Sequence, residues 1–390
     1  MAAGRTEPAG PAPAALHARL DALADALVAE ILALAAIPAP SFEEQERAAY
    51  VAARFREAGL RDVAIDGAGN VRGRLSGAAH PAGRALLVAA HIDTVYPRAA
   101  HEPPRRDGGR LVGSSIRDNS AGAAALVILA RALRDAGVAL PCAVEFVATT
   151  GEEGLGDLRG MRYRLRPEEA RPDAVLAVDG PLGQIVHQGI AVRRFAVRFE
   201  TAGGHSWSQF GEPSAIHHLA RVIDRLAAAP VPAAPKTTLN VGVVRGGTSV
   251  NSIAASAEMQ VDFRSLDVAP VDRLSETLRG LVAAEEQAGV RASVTIVGDR
   301  PGGAIPADHP LVAAVRGGYL AWGVEPRLTA ASTDANIPLA LGIPAVSAGV
   351  SSGGNTHAPG EWLEIESLRP GIHALAENVA RVAEWVAGRN

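Results

Sequence analysis

The chain has 390 residues, 48% of them hydrophobic, which is material for two packed domains or for one large domain carrying an insertion. Its formal net charge of −4, with Lys236 the sole lysine among 38 basic residues, leaves no basic footprint for nucleic acid. The single cysteine, Cys142, rules out an internal disulfide, and this fits a reducing cytoplasm.

The N-terminal stretch MAAGRTEPAGPAPAA is an Ala/Pro/Gly tail, expected to be disordered over residues 1–14, and it lacks the apolar core of a signal peptide. Leu16 to Ala36 has helical periodicity, and Asp21, Asp25 and Glu30 make it amphipathic rather than membrane-spanning, so a soluble protein is expected. Ser41-Phe-Glu-Glu44 has the pattern of a capping box and predicts a second helix to about Ala58. Apolar runs then alternate with helical stretches. Ala85–His91 reads as a strand, Ala121–Ala136 as a helix, and Val144–Ala148 and Ala174–Val178 as two more strands. Cys142 stands at the head of one of these runs, where a buried thiol is expected rather than a nucleophile. That alternation predicts an α/β layer built on a mostly parallel sheet flanked by helices.

The rhythm changes near residue 190. Ala191–Glu200, Thr238–Val244 and Ser252–Arg264 alternate like half-exposed strands, with a further strand at Ala292–Val297. Helices at Ser214–Ala228 and Val271–Ala288 interleave with them, which describes a small α+β module. After Pro301 the first rhythm resumes, with a strand at Ala345–Val350 and a last helix at Leu368–Ala387. The expected organisation is a catalytic α/β domain of residues 15–188 and 301–390, interrupted by an inserted α+β lid or dimerisation domain over 189–300.

Chemistry-bearing residues gather where the apolar strands end, the edge at which open α/β sheets bind ligands. His91-Ile92-Asp93 follows one strand, with residues i and i+2 on one face, so Asp93 is placed to hold the His91 ring. Asp118 opens the helix DNSAGAAALV, Asp179 follows AVLAV, and His357 lies in the loop GGNTHAPGE. Glu152 and Glu153 lie in TTGEEG, where flanking glycines make a loop in which two adjacent carboxylates can serve one spot. Taken singly, each has an ordinary explanation as a helix cap, a solvated turn or an exposed histidine. Jointly, two histidines and several carboxylates at successive strand ends suit divalent metal. Five ligands are too many for one catalytic zinc with an open position, and suit two metals sharing a bridging carboxylate.

In order and spacing, HIDTV, RDNSAG, TTGEEG, the aspartate at 179 and NTHAPGE resemble the co-catalytic dizinc metallopeptidases. That superfamily includes tripeptide aminopeptidases, cytosolic dipeptidases, glutamate carboxypeptidases, acetylornithine deacetylase and succinyl-diaminopimelate desuccinylase. The likeness runs from about residue 20 to the end and departs at GSSIRDN, where many relatives have a Gly-rich GxGxxD lead-in. It implies two divalent ions, zinc first with cobalt or manganese as alternatives. One would be held by His91, Asp118 and Asp179, the other by Asp118, Glu153 and His357. Asp93 would orient His91, and Glu152, left unligated, would be the general base. His205 in TAGGHSW resembles the histidine that reaches across a homodimer to the reacting oxygen. Asn251 and Arg264 match positions that grip a substrate carboxylate. Thr333, in Ser332-Thr333-Asp334, is a further candidate for the pocket wall. His17, His80, His101, His187, His217, His218, His309 and His373 are poorer candidates.

Two other classes compete. Gly349-Val-Ser-Ser-Gly353 fits the G-x-S-x-G of a serine hydrolase, but that elbow requires a helix directly after the serine, and GGNTHAPG follows. A non-catalytic module built on a dead metallopeptidase is expected to lose the base or a ligand, and all are present. Within the enzyme reading, a short-peptide peptidase is favoured over an N-acyl amino acid deacylase or a carboxypeptidase. In the family, aspartate at the position of Asp179 accompanies aminopeptidases and dipeptidases, and EEGLGD and GGHSW resemble the tripeptidase-like branch.

Overall fold

The computed structural model describes residues 12–75 and 83–389. Most of the expected disordered tail, together with His80, lies outside them. The tail's last residues are ordered, contrary to expectation. Ala12 is buried, its N–H donates to Glu377 Oε1 at 3.3 Å, and a helix starts at Ala14. The chain divides into two compact units, one formed by residues up to Gly189 and from Ala304 onward, the other by Ile190–Gly303.

The larger unit is an α/β layer. Four strands, Ala143–Thr149, Ala85–His91, Ala174–Leu182 and Ala345–Gly349, lie side by side and parallel, in that order. Antiparallel strands extend the sheet at both sides, Val71–Arg74 beside Ala143–Thr149 and Gln184–Gly189 beside Ala345–Gly349. The parallel strands are apolar along nearly their whole length because both faces are covered, which is why they read as continuous hydrophobic runs. Helices Gly122–Asp135 and Ile365–Ala387 supply much of the remaining core through Leu126, Leu129, Leu375 and Val379. The single helix expected over Leu16–Ala36 is two, Ala14–Ala22 and Ala24–Ala35. The break falls at Leu23, whose N–H turns back to Leu20 O while Leu20, Leu23 and Leu27 all stay buried.

The smaller unit is a four-stranded antiparallel sheet, ordered Thr237–Gly246, Ser256–Ser265, Ala191–Thr201, Val290–Arg300. Helices Ala215–Ala227 and Val268–Ala283 pack on it, and their Leu219 and Leu278 meet Phe195, Phe199 and Phe263 in a core separate from the first. The second helix starts earlier than the periodicity suggested. Pro270 is tolerated in its first turn, and the Asp267 side chain caps it by accepting the Val268 N–H at 2.8 Å. Among the described residues, no helix is long and apolar enough to cross a membrane.

Candidate metal centre

The carboxyl ends of the parallel strands bring the expected ligands together. His91 closes its strand in register with Thr149, so the turn Thr150–Glu153 begins beside it. Gly151 makes that turn possible with φ +64°, a left-handed conformation natural to glycine. Asp179 lies within the next strand, one position beyond the expected strand end.

Asp118 is not the helix cap that its position suggested. The helix begins at Gly122, and Asn119 does the local work: its Oδ1 accepts the Gly122 N–H at 3.1 Å and its Nδ2 donates to Val178 O at 2.8 Å. The approach is close, since a Cβ at Gly122 would meet Val178 O at 2.6 Å. The Asp118 carboxylate is thereby left to the centre. Its Oδ1 lies 3.0 Å from His91 Nε2 and its Oδ2 3.4 Å from His357 Nε2, so one carboxylate spans two imidazoles. His357 Nε2 is also 3.0 Å from Glu153 Oε1. Ligand atoms of His91, Asp118 and Glu153 all fall within 4.8 Å of one another.

Asp93 is fully buried and does more than hold His91. The His91 Nδ1 lies 3.2 Å from the Asp93 carbonyl and 3.5 Å from its carboxylate, which turns Nε2 toward Asp118. The carboxylate accepts the Glu152 and Glu153 N–H groups, each at 2.9 Å, and the Ser41 hydroxyl at 2.6 Å. Asp93 therefore locks His91 and the Glu-Glu turn into one frame. Ser41 and Glu44, expected to cap a helix, belong to the same frame. The Ser41 hydroxyl also reaches Glu153 O at 3.2 Å, and Glu44 accepts the Gly151 N–H at 3.1 Å and pairs with Arg159. The helix starts only at Gln45 and has no side-chain cap.

The electrostatics show what the centre is suited to hold. Burial raises Asp179 to about 7, and the nearby Asp118 carboxylate adds to the rise. Burial likewise raises Glu153, against the opposing hydrogen bond from His357. Burial also works against the Asp118 carboxylate, but hydrogen bonds from His357 and His91 outweigh it and hold the group far below the usual carboxylate range. Hydrogen bonds to Asp118 and Glu153 push His357 to about 10. His91 is raised well above its ordinary value, burial being overcome by its bonds to Asp118 and Asp93. Three carboxylates crowd a buried spot and borrow protons from two histidines, so the donor set fits divalent cations in the place of those protons.

Residues 87–381 match the model of peptidase family M20/M25/M40. The chain belongs to this family. Its members are metal-dependent hydrolases, and this chain is one of them. It is 26% identical to an acetylornithine deacetylase of Klebsiella pneumoniae over 324 residues, 78% of this chain and 82% of that protein. Its fold is that of the aminopeptidase PepT from Bacillus cereus, with TM-score 0.73 at 23% identity over 93% of this chain and 99% of the other. The di-peptidase Dug1p of Saccharomyces cerevisiae superposes with TM-score 0.75 at 14% identity, over 95% and 98%.

The remaining expected site residues lie elsewhere. His205 is exposed in the smaller unit, on a two-residue strand paired with Ser252–Ile253. Its Nδ1 accepts the Trp207 N–H at 3.2 Å, which puts the neutral ring's proton on Nε2. Asn251 is its neighbour, accepting the Ser206 N–H on its carbonyl at 3.0 Å. Arg264 is not with them. It stands at the opposite end of the strand Ser256–Ser265, a length of roughly 27 Å at a strand's rise per residue, and its fork is taken up by Asp262. Thr333 is buried, with its hydroxyl accepting the Ala335 N–H at 3.2 Å, the geometry of a local turn rather than a pocket wall. Cys142 is buried and its thiol is pushed up to about 12 by that burial, as befits an inert side chain. Ser351 is buried, and the two-residue strand Gly353–Gly354 and a turn follow it in place of a helix, so the serine-hydrolase elbow is absent. His187 Nδ1 donates to Ile305 O at 2.8 Å, a bond joining two stretches of backbone.

Sequence reasoning missed Ser41, Glu44, Asn119 and Glu361. Glu361 is wholly buried and touches the Asp118 loop. Its one signal was its place inside GGNTHAPGE.

Proposed function

We propose that this chain is a di- or tripeptidase of aminopeptidase type, acting on short peptides with two divalent ions, zinc first. The observation that carries this reading is the Asp118 carboxylate spanning His91 and His357 beside the Glu152–Glu153 turn. His91, Asp118 and Asp179 would hold one ion, and Asp118, Glu153 and His357 the other. When bound, such a pair supplies Lewis acidity toward a carbonyl and lowers the pKa of water at neutral pH. The chain's own residues do the rest. Glu152, its backbone fixed by Asp93, takes a proton from the attacking water and passes it to the leaving nitrogen. Asp93 and Ser41 keep that turn from drifting. His205, with Nε2–H as donor, stabilises the developing oxyanion. Arg264 grips the far carboxylate from its own subunit, and Asn251, which lies beside His205, joins that grip from the partner subunit. The separation of His205 from Arg264 within the smaller unit favours a homodimer in which the partner subunit supplies the histidine. Residues 189–300 are then the lid and dimerisation domain, and residues 15–188 with 301–390 the catalytic one. A cytoplasmic location goes with this reading. Thr333 drops out of the set, its hydroxyl being spent locally.

A second reading, an N-acyl amino acid deacylase, is favoured by the similarity to acetylornithine deacetylase. The peptidase is preferred for Asp179, whose shorter carboxylate leaves room for a free α-amine. The metal-reconstituted protein should cleave unblocked di- and tripeptides faster than N-acetyl or N-succinyl amino acids, and blocking the amine should remove most of the rate. Turnover of acylated amino acids with free peptides untouched would transfer the assignment to the deacylase.

A further inference from the structure

We infer that Glu361 is a positioning residue that sets the bridging ligand Asp118 and ties its loop to the loop of His357. The backbone around Asp118 is irregular: Asp118 has φ −113° and ψ 89° and Asn119 φ −134° and ψ 40°, so this turn does not satisfy its N–H groups as a helix would. Two successive ones, on Arg117 and Asp118, converge on the same oxygen, Glu361 Oε1, at 3.0 and 2.9 Å. Successive N–H groups closing on one anionic acceptor form a small nest, filled here by a side chain of the same protein. Glu361 also accepts the Gly113 N–H on its own carbonyl at 2.9 Å. It thus holds both ends of the segment leading into Asp118.

The other end of the tie is the loop of His357, four residues before Glu361. Tyr96 Oη donates to Ala358 O at 2.8 Å and lies 3.4 Å from Glu361 Oε2, and Arg117 Nη2 bonds the Thr356 hydroxyl. The loop that carries Asp118 and the loop whose His357 approaches its Oδ2 are therefore built around one buried carboxyl group. Glu361 does not itself reach the ligand cluster. It acts through the backbone of Asp118, and hence on the spacing between His91 and His357. This inference rests on the reading of Asp118 as a shared metal ligand.

The test separates length from charge. Glu361→Gln keeps an oxygen acceptor at the same reach, whereas Glu361→Asp keeps the charge but withdraws it by one methylene. Zinc and cobalt affinities are measured by competition with a chromogenic chelator, beside the melting of the metal-free protein and kcat and KM for a dipeptide. Glu361→Asp should bind at least one ion about 10–100-fold more weakly, the usual cost of losing a ligand's supporting partner, and Glu361→Gln should stay within about threefold of wild type. In Glu361→Asp, kcat should fall more than KM rises. An Asp variant with wild-type metal affinity overturns the inference. So does a Gln variant as damaged as the Asp variant. Should Glu361→Asp fail to fold, the Gln variant carries the test alone, since loss of metal there is fatal to it. Asp118→Asn is the control for the underlying reading. If it keeps both ions, the metal-site reading fails and takes this inference with it. If it loses metal while Glu361→Asp does not, only the role of Glu361 fails.

Discussion

The two units handle most of their functional side chains in opposite ways, although His357 of the larger unit is exposed. In the larger one, Asp93, Glu152, Glu153 and His91 are all buried, and Asp93 and Glu153 hold side-chain or backbone partners from distant parts of the chain. In the smaller one, His205 and Asn251 are exposed, and their side chains bond only to residues close in sequence. Trp207 and Phe210, 87% and 92% exposed, stand on the same loop as His205. A buried polar centre is preorganised by the chain that contains it, because every unsatisfied group there costs about 1–3 kcal/mol. An exposed histidine flanked by bare aromatics carries no such constraint. It acquires one only when something packs against it, and the proposed second subunit would do so.

The largest effect belongs to the buried unit. Glu152→Gln should preserve metal content and fold while lowering kcat by about three to four powers of ten, near the upper range for general-base catalysis. Glu153→Gln should instead weaken the occupancy of one ion, because Glu153 sits 3.0 Å from His357 Nε2. Metal analysis beside kcat separates the two. A Glu152→Gln protein with near-normal turnover would break the division of labour between the adjacent carboxylates.

The next effect probes the exposed unit. If His205 serves the partner's centre, mixing inactive His205→Ala subunits with inactive Glu152→Ala subunits restores one complete site per mixed dimer. With random exchange half the dimers are mixed, so activity should recover to about a quarter of wild type. Recovery is read after co-refolding or subunit exchange, against each variant alone. A chain that is monomeric by ultracentrifugation yet fully active would assign His205 to its own subunit and remove the contrast.

What the sequence made legible follows the same division. Four of the five proposed ligands could be placed because each follows an apolar run, and a buried parallel strand announces where it ends, whereas Asp118 precedes one. The order of motifs then supplied the proposed role of each carboxylate. The supports were not legible. Ser41 is 52 residues from Asp93, Glu44 is 107 from Gly151 and Glu361 is 243 from Asp118, and no local pattern encodes a contact at such separations. Local rules even misdirected. Ser41-x-x-Glu44 fits a capping box, and Asp118 before an apolar helix fits an N-cap, but tertiary partners outcompeted both local roles. Arg264 shows the converse. Its position matched a family pattern, yet only the strand register reveals its distance from His205 and Asp262's hold on its guanidinium.

The smallest expected effect tests whether Ser41 is a support of the centre or an ordinary loop residue. Its hydroxyl donates to the buried Asp93 carboxylate at 2.6 Å, and that same carboxylate fixes the N–H groups of Glu152 and Glu153. A hydrogen bond to a charged group is worth about 1.5–3 kcal/mol, so Ser41→Ala should lower kcat by roughly tenfold if a large part of that energy goes into holding the turn. The strong bonds from the two N–H groups remain, which is why the loss should stay well below that of Glu152→Gln. KM should change little if Ser41 acts only through its bonds to Asp93 and the turn. Ser41→Thr keeps the hydroxyl and should recover most of the rate. Equal losses in the Ala and Thr variants would assign the effect to the conformation of this loop rather than to the hydroxyl. An Ala variant with unchanged kcat would show that Asp93 holds the Glu-Glu turn without help from this loop.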